Sequence, residues 1–182
     1  MGAGSRSMVE SAVTDDFRFV PLAEQHLAML HEWLQRPHVA KWWAPTPSVA
    51  ELRNDYLSPA AEQGTRAHIA FLGAEPLGFI QSYVVMGSGG EWWANETDPG
   101  ARGIDQFLAD KDRLGRGFGS ALVRAFVDCL FADREVTVIQ TDPHPSNHRA
   151  IRCYARAGFH IIGPVTTPDG CALLMRRGRE SP

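Results

Sequence analysis

The sequence has few cysteines, and they stand far apart. Cys129, Cys153 and Cys171 form no C-x-x-C pair. An odd, scattered set of this kind is typical of a reducing compartment and argues against a disulfide framework and against a thiolate metal site. We therefore expect a cytoplasmic protein without a metal centre.

Long apolar runs and an excess of positive charge are missing as well. No uninterrupted apolar stretch approaches the ~20 residues that a membrane-spanning helix needs. The formal net charge of the 182 residues is -3, so the basic surface that binds nucleic acid is not expected. Residues 1–16 lack the apolar core of a secretory signal and are expected to form a flexible leader. Residues 17–182 have the length of one domain, and we expect neither a membrane nor a nucleic acid as partner.

The order of apolar patterns predicts a mixed sheet covered by helices, an α/β (α+β) fold. Pro21 is expected to open a first helix that Pro37 ends, and Ser48 with Glu51 predicts a capping box for a second one. Residues 41–48 between them are expected to form a loop. The remaining helices are predicted over 118–131 and 146–158, and the strands over 17–22, 67–72, 77–85, 104–109, 136–141, 159–165 and 171–177.

The stretch RLGRGFGSALV at residues 113–123 carries Gly115, Gly117 and Gly119 at every second position. It follows a predicted strand and opens a predicted helix, an arrangement in which loop amides and the helix dipole bind an anion. The P-loop pattern is absent, and the dinucleotide fingerprint fails because Ser120 stands at its third glycine. The glycines alone are also compatible with a merely loose helix N-terminus.

A second motif, NHRAIRCYARAGF at residues 147–159, strengthens the interpretation. The two motifs together resemble the coenzyme signatures of the GCN5-related N-acetyltransferase (GNAT) superfamily. Gly117 and Gly119 fit the first signature, whereas Leu114 departs from its polar first position. The resemblance implies one N-acetyltransferase domain with a central, mostly antiparallel sheet flanked by helices and with strands splayed at an acetyl-CoA site.

The same resemblance implies the contacts of acetyl-CoA, the expected cosubstrate. Asn147 is expected to bind the pantetheine arm, and Tyr154 to lie near the sulfur. Backbone N–H groups around Phe107 and Leu108 are expected to polarise the thioester carbonyl. The diphosphate is expected at the amides of Gly115, Arg116, Gly117, Phe118, Gly119 and Ser120.

Tryptophan pairs and carboxylates mark the segments expected near the acetyl group. Trp42-Trp43 and Trp92-Trp93 stand close to proline or glycine in predicted loops. Aromatic rings cover apolar sugar faces or attract cations, and carboxylates pair with ammonium groups, so this composition suits a compact polycation. The acidic set comprises Glu91, Glu96, Asp98, Asp105, Asp142 and Asp169.

From about residue 20 to residue 175 the chain resembles the aminoglycoside 6'-N-acetyltransferases, most specifically over 92–105 and 140–159. This resemblance implies that the acceptor is the 6'-amine of a drug such as kanamycin or tobramycin, that the product gives resistance, and that the enzyme is a monomer or a weak homodimer. Gly90 departs from an expected acidic residue, and the tract 44–64 is shorter than expected. The implied substrate-binding residues are Trp42, Tyr56, Gln81, Glu91, Trp92, Trp93, Asp105, Asp142 and Asp169.

The residues suggest direct transfer in a ternary complex. The acceptor amine must lose a proton before it attacks, and Asp105 is the predicted base if desolvation by the Trp92-Trp93 pair raises its pKa. Tyr154 is the predicted acid that protonates the departing thiolate. With ordinary pKa values, proton transfer from a phenol to a thiolate costs ~2 kcal/mol. Two alternatives without a catalytic role remain open. Asp105 could be an ordinary residue at the end of a strand, and Tyr154 could simply pack in the apolar core.

Two rival functions stay open at this point. An acetyltransferase for a protein N-terminus or another polyamine shares the coenzyme motifs but does not need the acidic, tryptophan-rich loop. A non-catalytic acyl-CoA sensor keeps the glycine cradle and can lose Asp105 and Tyr154 without effect. A metal site at Asp142, His144 and His148 is not expected, because no further ligand accompanies these residues.

Overall fold

A seven-stranded sheet in the order β1-β2-β3-β4-β5-β7-β6 forms the centre of the computed structural model. The structure describes residues 16–58, 64–88 and 92–179, so all of the expected leader but its last residue, and Glu91, lie outside it. Short 3-10 turns occupy Glu24–His26 and Lys111–Arg113. The strands are β1 (Phe17–Pro21), β2 (Thr65–Leu72), β3 (Glu75–Val84), β4 (Ala101–Leu108), β5 (Val138–Thr141), β6 (His160–Thr167) and β7 (Gly170–Gly178), and the helices are α1 (Leu27–Leu34), α2 (Pro37–Trp43), α3 (Val49–Leu57), α4 (Phe118–Phe131) and α5 (His148–Arg156).

Each face of the sheet carries its own apolar core. Helices α1 to α3 pack on one face around Trp33, Phe79 and Phe107, whereas α4 and α5 pack on the other around Ile104 and Phe126. Successive side chains of a strand point to opposite faces. The residues of β4 therefore alternate between the two cores, and the side chain of residue 105 shares the face of residue 107.

Strands β4 and β5 form the one parallel pair of the sheet, and they stay together over only three residues. Ala101–Gly103 pair with Val138–Gln140, while the other edge of β4 pairs with β3 as far as Leu108. From Ile104 onward the edge of β4 that faces β5 therefore has no strand partner. The expected mixed, mostly antiparallel sheet with splayed strands is confirmed, and its opening starts next to Asp105.

Local signals explain most helix boundaries. Ser48 accepts a hydrogen bond from the Glu51 N–H, and the Glu51 carboxylate bonds back to the Ser48 N–H, which is the predicted capping box. Helix α4 occupies the predicted residues. Gly158 follows α5 with a φ of 89°, a conformation that ends helices and favours glycine.

The region around Pro37 differs from the expectation. Helix α1 ends at Leu34, and Pro37 opens α2 instead of ending a helix. Proline suits a first helical turn because its missing N–H would have no partner there. Trp42 and Trp43 consequently stand on a helix and not on a loop. Pro21 likewise ends β1 and does not open a helix.

Candidate active site

Two neighbouring cavities open where β4 and β5 separate. The larger, of about 810 Å³, holds Asp105, Asp142 and Asp169 in its wall and is called the acidic cavity below. The smaller, of about 310 Å³, runs along the N-terminus of α4 and one face of α5 and is called the basic cavity. Ligands bound in the two would meet at a shared wall. That wall contains Trp42, Trp43, Gln106, Asn147 and Ala150.

Three carboxylates reach the acidic cavity from three different elements. Asp105 stands on β4 opposite Gln81 of β3, whose Nε2 donates a hydrogen bond of 2.9 Å to its Oδ2. Asp142 directly follows β5, and Asp169 lies in the β6–β7 turn. This convergence places the predicted base among two further acceptors for cations.

Burial changes the protonation of these carboxylates. It raises the pKa of Asp105, to which the charge of Asp169 adds, although the hydrogen bond from Gln81 lowers it. Burial, followed by the charges of Asp105 and Asp169, raises the pKa of Asp142 to about 7. A carboxyl group with a pKa near 7, as at Asp142, can exchange protons with an amine near neutral pH.

Aromatic rings form the other walls of the acidic cavity. The rings of Trp92 and Trp93 lie 6.3 Å apart. Trp43 packs edge-on against Phe107 at 5.1 Å, while Trp42 is 36% exposed. Trp42 is therefore the more exposed of the two, although both line the cavity.

Tyr83 also lines the acidic cavity and was missed by the sequence analysis. Its ring lies across Gly103, where an added Cβ would come within 2.1 Å of it. Burial and the charges of Asp105 and Asp142 raise the pKa of Tyr83. The signal was available in the sequence, because Tyr83 shares a strand face with Gln81.

Tyr154 of α5 reaches the acidic cavity from the opposite face of the sheet. It is 4% exposed and packs edge-on against Phe159 at 5.5 Å. Burial and the charge of Asp105 raise the pKa of Tyr154. Its phenol consequently keeps its proton near neutral pH.

The glycine segment forms the floor of the basic cavity. Gly115 and Gly117 have φ values of 72° and 93°, and a Cβ at either would meet nothing within 4 Å. Backbone conformation, and not crowding, therefore favours glycine here. The first hydrogen bond of α4 runs from the Ala121 N–H to the Gly117 carbonyl, so the N–H groups of residues 118–120 have no helical partner. This open cradle of amides fits a diphosphate.

Gly119 serves a different purpose. An added Cβ there would lie 3.0 Å from the Sγ atom of Cys153, so this glycine lets α4 and α5 approach closely. Cys153 itself lines the basic cavity, and burial raises the pKa of Cys153 to about 11. A thiol held protonated in this way is a poor nucleophile.

Most of the expected coenzyme residues meet in the basic cavity. Arg116 and Phe118 are the exceptions: the Arg116 side chain is exposed, and Phe118 lies under Arg113 with 5.5 Å from guanidinium to ring centre. Asn147 caps α5 by accepting a hydrogen bond of 3.2 Å from the Ala150 N–H. The residues that do line the cavity are Phe107, Leu108, Gly115, Gly117, Gly119, Ser120 and Asn147.

Three arginines of the basic cavity were not recognised from the sequence. Arg149, Arg152 and Arg156 line it from α5 and are exposed. Their spacing of three and four residues places them on one helix face. That spacing is a readable signal, although it does not by itself reveal the cavity beside it.

Three of the residues that were expected near the acceptor, Tyr56, Glu96 and Asp98, do not line the acidic cavity within the described residues. Tyr56 packs edge-on against Phe79 at 5.6 Å. Glu96 pairs with Arg176, and Asp98 accepts hydrogen bonds from the Gly100 N–H and from Thr137. Glu96 and Asp98 therefore build the loop that carries the tryptophans.

Neither a metal site nor a membrane helix was found in the residues that the structure describes. Over 16–58, 64–88 and 92–179, no cluster of three or more His, Cys, Asp or Glu side chains is placed to hold a metal ion. In the same residues, no helix combines the length and the apolar character needed to cross a bilayer.

The chain belongs to the GNAT acetyltransferase family. The model of the acetyltransferase (GNAT) domain matches residues 23–167, which include the glycine cradle and most of both cavities. The family expected from the two motifs is thereby confirmed.

Within this family, the chain is similar to proteins named for aminoglycosides. It is 53% identical over 164 residues to the aminoglycoside N(6')-acetyltransferase type 1 of Klebsiella pneumoniae, covering 88% of this chain and 82% of that protein. A kanamycin resistance protein of Rhizobium radiobacter is 62% identical over 92 residues, which are 50% of this chain and 85% of that one. A solved structure of AAC(6')-Ib with coenzyme A and kanamycin superposes with a TM-score of 0.84 at 52% identity, over 90% of this chain and 95% of that one.

The raised pKa of Asp142 predicts a pH-dependent gain in stability for Asp142→Asn. The ordinary value of 3.8 rises to about 7 in the folded protein, so the folded state holds this proton more tightly than the unfolded state. The free energy of unfolding therefore falls as pH rises from about 4 to about 7. We expect Asp142→Asn to raise the free energy of unfolding by about 1–3 kcal/mol at pH 8 and to change it little at pH 4. Chemical denaturation at the two pH values measures both effects.

The matched control is Asp55→Asn, because Asp55 is exposed on α3. It removes the same charge and should show no such pH dependence. An Asp142→Asn effect of equal size at both pH values would contradict the assignment.

Proposed function

We propose that the protein is an aminoglycoside 6'-N-acetyltransferase, which transfers the acetyl group of acetyl-CoA to the 6'-amine of the drug and thereby gives resistance. The observation that carries this proposal is the pair of cavities with opposite charge and a common wall. An anionic coenzyme suits the arginine-lined cavity, and a polycationic sugar suits the carboxylate-lined one. The similarity to named aminoglycoside acetyltransferases supports the same assignment. We further propose that residues 17–182 act as one domain, since both cores lie on one sheet.

The residues of the basic cavity fit acetyl-CoA. The amides at the start of α4 would hold the diphosphate, and Asn147 at the shared wall would contact the pantetheine arm. Acetyl-CoA supplies an activated acetyl thioester. Arg149 and Arg152 would face the remaining phosphate of the coenzyme, because they line the same cavity as the cradle.

Asp105 is the proposed base. Burial raises its pKa, which brings the carboxylate closer to the pKa of an alkylamine and makes it a stronger acceptor of the ammonium proton. Gln81 donates a hydrogen bond of 2.9 Å to one oxygen of Asp105, which would leave the other oxygen to accept the ammonium proton. Asp142 and Asp169 would pair with other ammonium groups of the drug and orient its 6' position.

The backbone of β4 is proposed to polarise the thioester carbonyl. The Phe107 carbonyl lies against Gly78 of β3, where a Cβ would be only 2.2 Å from its oxygen. In a trans peptide the next N–H points the opposite way, so the Leu108 N–H faces the gap left by β5. Leu108, more than Phe107, is therefore the donor for the developing oxyanion.

Tyr154 is proposed to stabilise the departing sulfur by hydrogen bonding. Because burial raises the pKa of Tyr154, complete proton transfer would cost more than the ~2 kcal/mol expected from ordinary values. A phenol that stays protonated can still donate to a thiolate during its departure. With Cys153 held as a thiol, no covalent enzyme intermediate is needed.

A steady-state assay of thiol release tests the function. We expect release on adding kanamycin with acetyl-CoA, and acetylation at the 6' position in the isolated product. A peptide with a free N-terminus should give far less release, because it cannot compensate three carboxylates. Release with the peptide alone would indicate the rival acetyltransferase, and no release with any amine would indicate an acyl-CoA sensor.

Replacing the proposed base separates chemistry from binding. Asp105→Asn should lower kcat by roughly 10²–10⁴-fold, the usual contribution of a positioned base. Acetyl-CoA affinity measured by calorimetry should stay within about twofold, since Asp105 lies outside the basic cavity. Asp55→Asn, at the exposed carboxylate of α3, is the control. Surviving turnover in Asp105→Asn would place the base elsewhere.

The proposed arginine contacts predict a selective loss of coenzyme affinity. The double variant Arg149→Gln/Arg152→Gln should weaken binding of coenzyme A by roughly five- to tenfold, as expected for two exposed cations. Binding of 3'-dephospho-coenzyme A should change much less in the same calorimetric titration. Arg134→Gln, an exposed arginine outside both cavities, controls for net charge. Equal losses for both coenzymes would refute the contact with the third phosphate.

A further inference from the structure

We infer that Arg176 of β7 is a positioning residue for the aromatic wall formed by Trp92 and Trp93, although it lines neither cavity. The inference rests on the proposed function, because it concerns how the acceptor is held. Arg176 would act through Glu96, which lies in the same loop as the two tryptophans.

The guanidinium of Arg176 joins the loop to the middle of the sheet. Its Nε and Nη2 donate to Oε1 of Gln140 at 3.1 and 2.9 Å, and Nη2 also donates to Oε2 of Glu96 at 2.5 Å. Arg176 and Gln140 are direct partners in the β5–β7 ladder. Gln140 is fully buried, and the Glu96 side chain is 10% exposed. Burial makes this contact stronger than an exposed ion pair.

Glu96 connects Arg176 to the backbone of the tryptophan loop through hydrogen bonds. Its Oε1 accepts hydrogen bonds from the N–H groups of Thr97 and Asp98 at 3.0 and 2.9 Å. Its own N–H donates to the Trp93 carbonyl at 2.8 Å. One carboxylate therefore connects the turn after the tryptophans to the sheet.

Trp93 needs such an anchor. Its φ is 51°, in the left-handed region, where it is the one residue other than glycine within the described ranges. For a bulky side chain this conformation is costly and persists only where surrounding contacts enforce it. The turn that Glu96 closes supplies that enforcement.

A second anchor keeps the base of the loop in place. Asp98 bonds to Thr137, and the Asp98 carbonyl accepts from the Ala101 N–H at 3.2 Å. Loss of Arg176 should therefore loosen the tryptophans without detaching the loop from β4. The effect should appear in acceptor binding and not in coenzyme binding.

The test is Arg176→Met, which keeps much of the apolar stem and removes the guanidinium. We expect the KM for kanamycin to rise about tenfold, with kcat reduced less than threefold. The affinity for coenzyme A in calorimetry should stay within about twofold of the wild type. A merely structural role would lower the melting temperature without this split between KM and kcat.

Arg177→Met is the matched control, since Arg177 is the next residue of β7 and bonds on the other face to the Ala157 carbonyl at 3.0 Å. It should leave the KM for kanamycin unchanged. Arg176→Lys should restore part of the affinity, and it also serves if Arg176→Met does not fold. Glu96→Gln added to Arg176→Met should raise KM little further, because both variants break one connection.

The outcomes separate the inference from the function. A wild type without activity on kanamycin would overturn the proposed function. An active wild type would overturn the inference alone if Arg176→Met raised KM no more than Arg177→Met, or if it weakened coenzyme A binding equally.

Discussion

The early separation of β4 from β5 is the constraint on which the site depends. The two strands pair over three residues and then part, so the sheet opens in its middle. Residues from opposite faces can meet only through that opening. Asp105 lies on the face covered by α1 to α3, whereas Tyr154 belongs to the core under α4 and α5, and both line the acidic cavity. An unbroken sheet would have kept the two apart.

The cradle and the arginines depend on the same opening. Helix α4 begins where the chain turns back from β4, and α5 begins after β5, so the two helices flank the gap. Gly119 permits their close packing, with a Cβ position 3.0 Å from Cys153. The basic cavity then lies along both helices and ends at the wall shared with the acidic cavity. The basic cavity is positive because α5 lines it with arginines, and the acidic cavity is negative because β4, the end of β5 and the β6–β7 turn line it with aspartates.

Features set by neighbouring residues were predictable from the sequence. The capping box of α3, the length of α4 and the glycine cradle all depend on signals within a few positions. Pro37 was misjudged because proline can end one helix or open another, and the local sequence does not contain the packing of Trp43 on Phe107 that accompanies α2. Tyr83 could be placed on the strand face of Gln81 from the sequence, but its contact with Gly103 could not, and the same holds for the contacts of Arg176. Their importance depends on cross-strand pairing with Gly103 and Gln140, which no local pattern contains.

The acidic cavity also argues for the kind of acceptor. Burial raises the pKa of Asp105 and of Asp142, and the charges of neighbouring carboxylates add to both shifts, so negative charge in this cavity is unfavourable. An acceptor with a single ammonium group would neutralise one carboxylate and leave the others in repulsion. A drug with several ammonium groups can compensate them together, and the relief of repulsion adds to its binding. In the proposed mechanism Asp142 and Asp169 would be paired with such groups, which would leave Asp105 to take the proton of the reacting amine. On this proposal, the number of positive charges on the acceptor would affect both its affinity and the choice of base.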